Sequence, residues 1–590
     1  MSSNSNDINE TSNSTPDLKT ELARQLQELV PEAFADGKVD VTKLREILGD
    51  DAGNESERFG LFWPGKKAAL RAAQESTTAS LRPDRENSKD WDTTQNVFIE
   101  GDNLEVLKIL QKHYHGKVKM IYIDPPYNTG KDFVYPDNYK EGLATYLEWT
   151  RQVNEEGKRI STNSESEGRY HSNWLNMMYP RLKLARNLLT DDGLIFISID
   201  DNEMDNLKKL CNEIFGDGNF VNSIIWHYGK MSNEKNKLPN NHEYVLVYRK
   251  SATGGIFEKV KKEDSEYRNR YLRFVTPENT VIYGSVKTST DNLVLGRVKK
   301  VKEVLGKTQL DDTDVLFNFN DEFKSHSDTI YVSTIKGNAE ENVGEFDTGQ
   351  KPLALIELLL KFGAPEPDSI VLDFFAGSGT TAHALMIRNF NDGGHRRYIQ
   401  VQLPEPVDPE SLAASKGFRT IADITRSRVL RAGAKLRPDE EAQFELGKNR
   451  LDIGFRSYTL ADTNFSKWRI GSDTEPNALE QHLLELRDSA NNVATPDAIL
   501  IEILLKQGYS LTEQVATTEI DGLLIHSVGN GLLLAYLDEH TKPTLEQLRA
   551  VVDSDPGKLV ILEDAFGGDD ELKTNLAQLC KSKGIELWTA

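Results

Sequence analysis

The chain has 590 residues, of which 38% are hydrophobic and 28% charged, so it is too long for one domain and too ordinary in composition for a disordered or fibrous protein. Its net charge of −22 at pH 7 excludes a chain coated with basic side chains. It does not exclude nucleic acid, since net charge is a sum over regions. Two cysteines, Cys211 and Cys580, cannot form a disulfide framework or a four-thiolate metal site, so we expect both to be buried in a reducing setting.

The N-terminal region is expected to contribute little to the folded core. Residues 1–16 are rich in Ser and Asn and read as disordered, and Asp17 to Leu48 is expected to form one or two short helices. This region has no signal-peptide pattern, and apolar runs elsewhere are far shorter than the ~20 residues that cross a bilayer. We therefore expect a cytoplasmic protein with no membrane contact.

From Asn96 the chain alternates between apolar strands and amphipathic helices. The runs NVFIEGD, LEVLKILQKHYH and KVKMIYID predict strand, helix and strand, and YPRLKLARNLLTDDGLIFISID repeats the unit with a turn at Asp192-Gly193. The pattern returns after about Thr348 with the helix KPLALIELLLKF, the strand SIVLDFF and the helix GTTAHALMIRNF. Such alternation predicts an α/β fold with a parallel sheet that an insertion interrupts.

The predicted insertion is a basic island in an acidic protein. Residues 225–310 contain 17 Lys and Arg against 9 Asp and Glu, a net charge of +8, among many aromatic side chains, most of them Tyr. This mixture suits DNA contact, although an ordinary solvated surface is an equal alternative. His227 and His242 are possible DNA contacts. The expected domains are 1–58 (tail and helices), 59–224 (catalytic half), 225–345 (insertion for target recognition), 346–438 (cofactor half) and 439–590 (dimerisation or partner contact).

A tetrapeptide after the strand at 118–123 is the first chemical signal. Asp124-Pro125-Pro126-Tyr127, called here the catalytic tetrapeptide, combines a carboxylate, a carbonyl and an aromatic ring on a backbone that two prolines stiffen. The Asp124 carboxylate and the Pro125 carbonyl can each accept one N–H of an exocyclic amine, while Tyr127 stacks on a flipped base. The alternative interpretation is a rigid turn with a surface tyrosine.

A glycine-rich segment is the second signal. Residues 373–380, DFFAGSGT, called here the glycine loop, follow a strand and open a helix. Gly377 and Gly379 let a ligand approach the backbone beside Phe375, although such a loop alone is often only a tight turn. Position 382 is Ala where a dinucleotide fingerprint has its third glycine, and S-adenosylmethionine, which lacks a pyrophosphate, needs only a shorter loop.

The order of these signals resembles that of the β-class amino-methyltransferases, in which the catalytic half precedes the cofactor half. More closely, IEGDNLEVLKIL, YIDPPYNTGKDF, TGQKPLALIELLL, DFFAGSGTT and ADITRSRVLRAG resemble the modification (Mod) subunits of type III restriction-modification systems. The resemblance implies a circularly permuted, Rossmann-like methyltransferase sheet with an inserted recognition domain and an α+β C-terminal domain. It also implies an adenine N6 methyltransferase of double-stranded DNA, a homodimer and a separate Res subunit that cuts DNA.

The resemblance assigns roles to individual residues. It implies a target-base site at the catalytic tetrapeptide and a cofactor site that includes Asp102, which would contact the adenine of S-adenosylmethionine. The other expected cofactor residues are Lys351, Asp373, Phe375, Gly377, Gly379, Thr380 and Gln402. Position 402 is a departure, because many relatives have an acid there for the ribose hydroxyls, and either Gln402 or Glu405 is expected to serve.

Other motifs and other functions receive less support. His113, His115 and His383 have no spacing typical of a zinc site, so we expect no metal. Gly306-Lys307-Thr308 is not a phosphate loop, because Val301 stands where the first glycine is required. The alternative functions are a stand-alone methyltransferase, N4-cytosine methylation and a DNA-binding scaffold with an inactive methyltransferase fold.

Overall fold

The structure is a computed structural model that describes residues 61–129, 170–227, 242–252, 350–445, 451–464, 495–538 and 540–589, with short strands at 9–10, 34–35, 38–39, 272–275, 281–284 and 329–330. Contacts divide the chain into a larger unit, residues 1–255 and 331–590, and a smaller unit, residues 256–330. The Gly306-Lys307-Thr308 motif and most of the basic insertion lie outside the described residues.

All of the described helices belong to the larger unit. They are α1 (Lys66–Gln74), α2 (Asn103–Tyr114), α3 (Tyr170–Leu188), α4 (Met204–Phe215), α5 (Leu353–Gly363), α6 (Thr380–Asp392), α7 (Leu412–Ser415), α8 (Ile421–Glu445), α9 (Pro496–Gln507), α10 (Leu545–Asp553) and α11 (Asp570–Lys583).

The strands are β1 (Asn9–Glu10), β2 (Phe34–Ala35), β3 (Lys38–Val39), β4 (Ser80–Pro83), β5 (Val97–Glu100), β6 (Val118–Ile123), β7 (Leu189–Ile199), β8 (Phe220–His227), β9 (His242–Arg249), β10 (Leu272–Val275), β11 (Val281–Gly284), β12 (Thr329–Ile330), β13 (Ile370–Asp373), β14 (Arg397–Gln402), β15 (Arg456–Ala461), β16 (Val515–Ile520), β17 (Leu523–Val528), β18 (Leu533–Tyr536), β19 (Lys558–Ile561) and β20 (Glu586–Thr589). In the smaller unit β10 and β11 pair antiparallel.

A large mixed sheet forms the centre of the larger unit. Its strands run in the order β8-β9-β7-β6-β13-β14-β5-β15-β4. Those from β7 to β15 are parallel, whereas β8, β9 and β4 are antiparallel to their neighbours. The α/β fold expected from the alternating sequence is therefore confirmed.

Helices cover both faces of this sheet, which explains why its central strands are apolar along their whole length. On one face Ile121 and Ile123 of β6 belong to a core cluster with buried side chains of α2, α3 and α4. On the other face Gly363 of α5 lies against β6, since a Cβ added there would stand 2.6 Å from the sulfur of Met120.

The permuted strand order brings the two chemical signals together. Strand β6 lies beside β13, parallel to it, with Met120 opposite Val371 and Ile121 opposite Leu372. The catalytic tetrapeptide follows β6 and the glycine loop leaves β13, so both begin at the carboxyl edge of the sheet. Ligands of open α/β sheets bind at that edge.

The boundaries of the sheet differ from those expected from the sequence. Strand β8 crosses residue 225, where the insertion is expected to begin, and β9 also lies in the sheet. Strand β15 pairs with β5, although it follows residue 438, where the cofactor half is expected to end. The regular alternation of strands and helices in the sequence predicts the central parallel strands of the sheet. Strands β8, β9 and β15 lie toward its margins and do not follow this alternation, so the sequence did not assign them to the sheet.

Two smaller expectations also need correction. Asp192-Gly193 does not end a turn before the strand, because β7 runs from Leu189 and accommodates these residues as an irregularity in its pairing with β6. In the N-terminal region, β1 pairs with β20 where disorder is expected, and β2 and β3 are strands within the predicted helical stretch. The rest of residues 1–48 lies outside the description.

The C-terminal region forms a second sheet with the order β1-β20-β19-β18-β17-β16. It encloses its own apolar core, to which α9, α10 and α11 contribute, and Cys580 is buried there. Cys211 is buried in the core of the large sheet, as the sequence predicts. The run DAILIEILLKQG forms most of α9, and its Ile501 and Leu505 belong to the first core cluster.

Candidate active site

Buried polar side chains hold the catalytic tetrapeptide in place. The indole Nε1 of Trp174, in α3, donates to the carbonyl of Pro126 at 2.7 Å. The next residue, Asn128, has a left-handed φ of 61°, and its side-chain amide donates to Glu203 at 2.6 Å. Glu203 is fully buried, so this bond fixes the chain just beyond Tyr127. Trp174 and Glu203 could not be recognised from the sequence, because neither lies in a motif.

The functional groups of the tetrapeptide belong to a charged cluster. The hydroxyl of Tyr127 lies 2.9 Å from Oδ1 of Asp124 and 3.0 Å from Oε2 of Glu243, and it can donate to either. The ammonium of Lys351 contacts all three: it donates to the Tyr127 hydroxyl at 2.6 Å and to Glu243 at 2.7 Å, and it lies 3.3 Å from Oδ1 of Asp124. Glu243, in β9, was not predicted.

The charges of this cluster influence one another. Burial raises the pKa of Asp124, Lys351 opposes that rise, and Glu243 adds to it. Burial works against the charge of Lys351, but the two carboxylates nevertheless raise its pKa above the usual value. Burial and the same carboxylates hold the pKa of Tyr127 well above 10, so its hydroxyl is neutral. The cluster therefore holds one cation between two acids.

Lys351 also contacts aromatic rings. Its nitrogen lies 4.8 Å from the centroid of the Tyr127 ring and 5.4 Å from that of Trp226. The sequence analysis placed Lys351 among the cofactor residues. Its contacts in the structure are with the target-base side, and a cofactor role is an untested prediction.

The glycine loop is held by Asp373 at its start. One oxygen of this carboxylate accepts from the backbone N–H of Phe375 at 3.2 Å, and the other accepts from the hydroxyl of Thr381 at 2.6 Å. Burial raises the pKa of Asp373 to about 7, and the nearby Asp124 adds to the rise. The carboxylate thus titrates near neutral pH.

The middle of the loop has the backbone conformation that glycine permits. Gly377 and Gly379 have φ angles of +51° and +79°, and Gly379 directly precedes α6. The Gly377 N–H donates to the side chain of Gln402 at 2.7 Å, and the Gly377 carbonyl accepts from Thr425 at 2.5 Å. Thr380 begins α6, and its hydroxyl lies 3.0 Å from that of Ser378. Neighbouring elements thus fix the loop.

Asp102 and Gln402, two further predicted cofactor residues, lie next to this loop. Asp102 caps α2 by accepting from the backbone of Leu104 at 2.9 Å, and it pairs with Arg181 at 3.1 Å. The following Asn103 donates to the Phe374 carbonyl at 2.7 Å, which ties the start of α2 to the loop. Contact of Asp102 with an adenine, and the choice between Gln402 and Glu405 for the ribose, are predictions that these contacts do not test.

The residues present fit S-adenosylmethionine. A Cβ added at Gly377 would meet no atom closer than the Phe375 carbonyl at 3.8 Å, so the loop leaves space for a ligand against its backbone. The Asp373 carboxyl group at the start of the loop is acidic, which suits a cofactor that carries sulfonium and ammonium groups.

Among the described residues there is no sign of a metal site or of a membrane-spanning helix. No group of three His, Cys, Asp or Glu side chains there could hold a metal ion, and no helix there is long and apolar enough to span a membrane. His383 is buried with its pKa lowered to about 3, and His113 contacts the carbonyl of Gly508 at 2.8 Å. His242 lies 2.9 Å from the Tyr244 hydroxyl, and the side chain of His227 is outside the description.

Comparison with known proteins gives the class first. A family model described as DNA methylase matches residues 118–399, which span the strands that carry both the catalytic tetrapeptide and the glycine loop. The StyLTI Mod subunit of a Salmonella typhimurium type III restriction-modification enzyme is 35% identical over 73% of this chain and 70% of its own. The EcoP15I Mod subunit of Escherichia coli is 30% identical, and the EcoPI Mod subunit of Escherichia phage P1 is 31% identical, each over 97% of this chain and 98% of its own.

The chain therefore belongs to the family of type III restriction-modification Mod subunits. It is an S-adenosylmethionine-dependent DNA methyltransferase specific for adenine.

Proposed function

We propose that this protein flips an adenine out of duplex DNA and methylates its N6 amine between the catalytic tetrapeptide and the glycine loop. The observation that supports this proposal is the pairing of β6 with β13, because it starts both segments at the same edge of the sheet. An extruded base can reach such an edge, whereas a base inside the duplex cannot.

Asp124 and Pro125 prepare the amine. The N6 nitrogen is a weak nucleophile because its lone pair is delocalised into the ring. Two acceptors, the Asp124 carboxylate and the Pro125 carbonyl, take one N–H each and favour a pyramidal nitrogen. Among the described residues the donors to Asp124 converge on Oδ1, and we assign Oδ2 as the acceptor for the substrate. The ring of Tyr127 supports the base by stacking.

The cofactor side orients the second reactant. Asp373, Phe375 and the two loop glycines would hold S-adenosylmethionine, with Asp102 and Gln402 beside them. When bound, this cofactor supplies an electrophilic methyl group. The protein contributes mainly orientation and charge, which are the effects that a displacement at carbon needs most.

Substitution of Asp124 tests the assignment. Asp124→Ala and Asp124→Asn should lose methyl transfer while S-adenosylmethionine and DNA still bind, since neither change touches the glycine loop. Asp191→Ala, at a side chain that is 84% exposed, is the matched control and should keep full activity. The assay is nucleoside mass analysis of plasmid DNA after incubation, which also identifies the methylated base. Retained N6 methylation in both Asp124 variants would refute the role.

We further propose that the segment after β9 selects the DNA sequence. Its support is the basic and aromatic composition of 225–310 and its position between the two halves of the site. Because β8 and β9 belong to the sheet, a clean exchange should replace only 253–345 with the segment of a relative. Single-molecule sequencing should then find a new methylated site, and an unchanged site would contradict the proposal.

Assembly with other chains is the last part of the proposed function. The matched relatives carry the name Mod subunit of a type III enzyme, and on that basis we propose a homodimer that recruits a separate Res subunit. Light scattering of the purified protein should give twice the mass of 66.4 kDa. Addition of the Res chain from the same source should give cleavage of DNA that lacks methylation.

A further inference from the structure

We propose that Lys351, anchored by Glu243, positions Asp124 and holds it as an ionised acceptor for the target amine. Lys351 is then a positioning residue on the target-base side and not primarily a cofactor ligand. This inference rests on the proposed role of Asp124 and adds two residues that control it.

The contacts of the Lys351 ammonium group support its positioning role. An ammonium group has three hydrogens, and Lys351 has three oxygen neighbours: the Tyr127 hydroxyl at 2.6 Å, Glu243 at 2.7 Å and Asp124 at 3.3 Å. Its side chain is 9% exposed, so water competes little for these contacts. Glu243 is 19% exposed and supplies the shortest ionic contact, which anchors the ammonium beside Asp124.

The charges around Asp124 decide whether its carboxyl group is ionised. Without Lys351, Asp124 would lie beside the like charge of Glu243 in a partly buried site, and its pKa would rise further. Asp373 faces Asp124 from β13 and Tyr122 faces it from β6, and neither provides positive charge. Lys351 is thus the cation that keeps Asp124 ionised among the described residues around it.

Ionisation decides whether Asp124 can act. A carboxylate accepts on both oxygens, whereas a protonated acid donates from one of them. Because Oδ1 already accepts from Tyr127 and Lys351, a proton would go to Oδ2, which the proposed function reserves for the substrate amine. Protonation would therefore replace attraction of the N–H group by repulsion.

Two substitutions with opposite charge effects test the inference. The rate of a single turnover at saturating S-adenosylmethionine is measured from pH 5.5 to 9, on plasmid DNA whose methylated site has been mapped with the parent enzyme. Lys351→Met should slow transfer at pH 7 about 100-fold and move the acidic limb of the profile up by about one pH unit or more. Glu243→Gln should move that limb down or out of the measured range, and the double variant should lie between the two.

Controls separate position from folding and from cofactor binding. Lys351→Arg keeps the cation and should restore the parent limb, while Lys361→Met and Glu546→Gln change exposed side chains and should alter nothing. The dissociation constant for S-adenosylmethionine should change less than about threefold in every variant. Since cofactor binding also requires a folded site, this measurement shows that each variant is folded.

The outcomes distinguish the two proposals. A Lys351→Met enzyme that binds S-adenosylmethionine more than tenfold more weakly, with an unmoved limb, would make Lys351 a cofactor ligand and overturn the inference. Limbs that move in the same direction in both single variants would overturn it as well. If Asp124→Asn stays active, the proposed role of Asp124 fails, whatever the other variants do.

Discussion

Asp373 is the best place to test the electrostatics of the cofactor site, because its carboxylate is buried and yet holds the glycine loop through two hydrogen bonds. Its pKa of about 7 is about three units above the ordinary value of 3.8 for an aspartic acid side chain. Three units correspond to about 4 kcal/mol, which is an upper limit for one group. We therefore expect Asp373→Asn to remove a large pH-dependent contribution to stability.

The sign follows from proton binding. The native state holds the Asp373 proton more tightly than the unfolded state does, so this group contributes stability that is fully present below about pH 4 and is lost as the pH rises through about 7. Asparagine cannot titrate. The stability difference between the two proteins should therefore shift in favour of the variant by about 2 kcal/mol between pH 5.5 and 8.5.

The assay is urea unfolding of parent and variant at pH 5.5, 7.0 and 8.5 without cofactor, followed by far-UV circular dichroism. Asp92→Asn, at a side chain that is 87% exposed, is the control and should give a difference that does not vary with pH. In parallel, the affinity of the parent for S-adenosylmethionine should fall below pH 7, because cationic groups favour the ionised carboxylate. A parent-minus-variant difference that is constant across the three pH values would show that Asp373 titrates normally.

Two further substitutions test how the site is held. Gly379→Ala should weaken S-adenosylmethionine binding and cost about 1–2 kcal/mol of stability, because φ is +79° and the new Cβ would lie 3.1 Å from Thr425. Isothermal calorimetry measures the binding and urea unfolding measures the stability. The control is Gly393→Ala, at a glycine that has a similar φ but no neighbour within 4 Å. Glu203→Gln should cost about 1–3 kcal/mol and slow methyl transfer without weakening cofactor binding, since both oxygens of Glu203 accept from amide groups, of Asn128 and of Asn206, and glutamine has only one oxygen to offer them. A variant with parental activity would show that this anchor is dispensable.

The local hydrophobic pattern of the sequence predicted the central strands of the large sheet but not all of the strands toward its edges. The strands at 118–123 and 370–373 could be recognised because parallel strands that are buried on both faces are continuous apolar runs. Strand β15 could not, because an additional strand after the long helix α8 leaves no periodic signal that connects it with β5. Adjacency of β6 and β13 likewise followed from the resemblance and not from local sequence, since no spacing in the chain encodes which strands pair.

The same limit explains which site residues were missed. The catalytic tetrapeptide and the glycine loop are contiguous, so their chemistry could be read from the chain. Glu243, Glu203 and Trp174 lie far apart in the chain, and each reaches the tetrapeptide or the adjacent Asn128 only through tertiary contacts. A lone glutamate in an alternating strand is ordinarily a solvated edge residue, and only the fold turns Glu243 toward Lys351.

The contact between Glu243 and Lys351 has a consequence for how such enzymes can vary. Glu243 lies in β9 and Lys351 shortly before α5, so the two residues stand on either side of residues 253–345 in the sequence. Their 2.7 Å contact joins these two parts of the chain at the target-base site. An exchange of 253–345 leaves both residues in place. We expect exchange of 253–345 to alter DNA choice while the acidic limb of the methylation profile stays where it is, since that limb depends on residues outside the exchanged part.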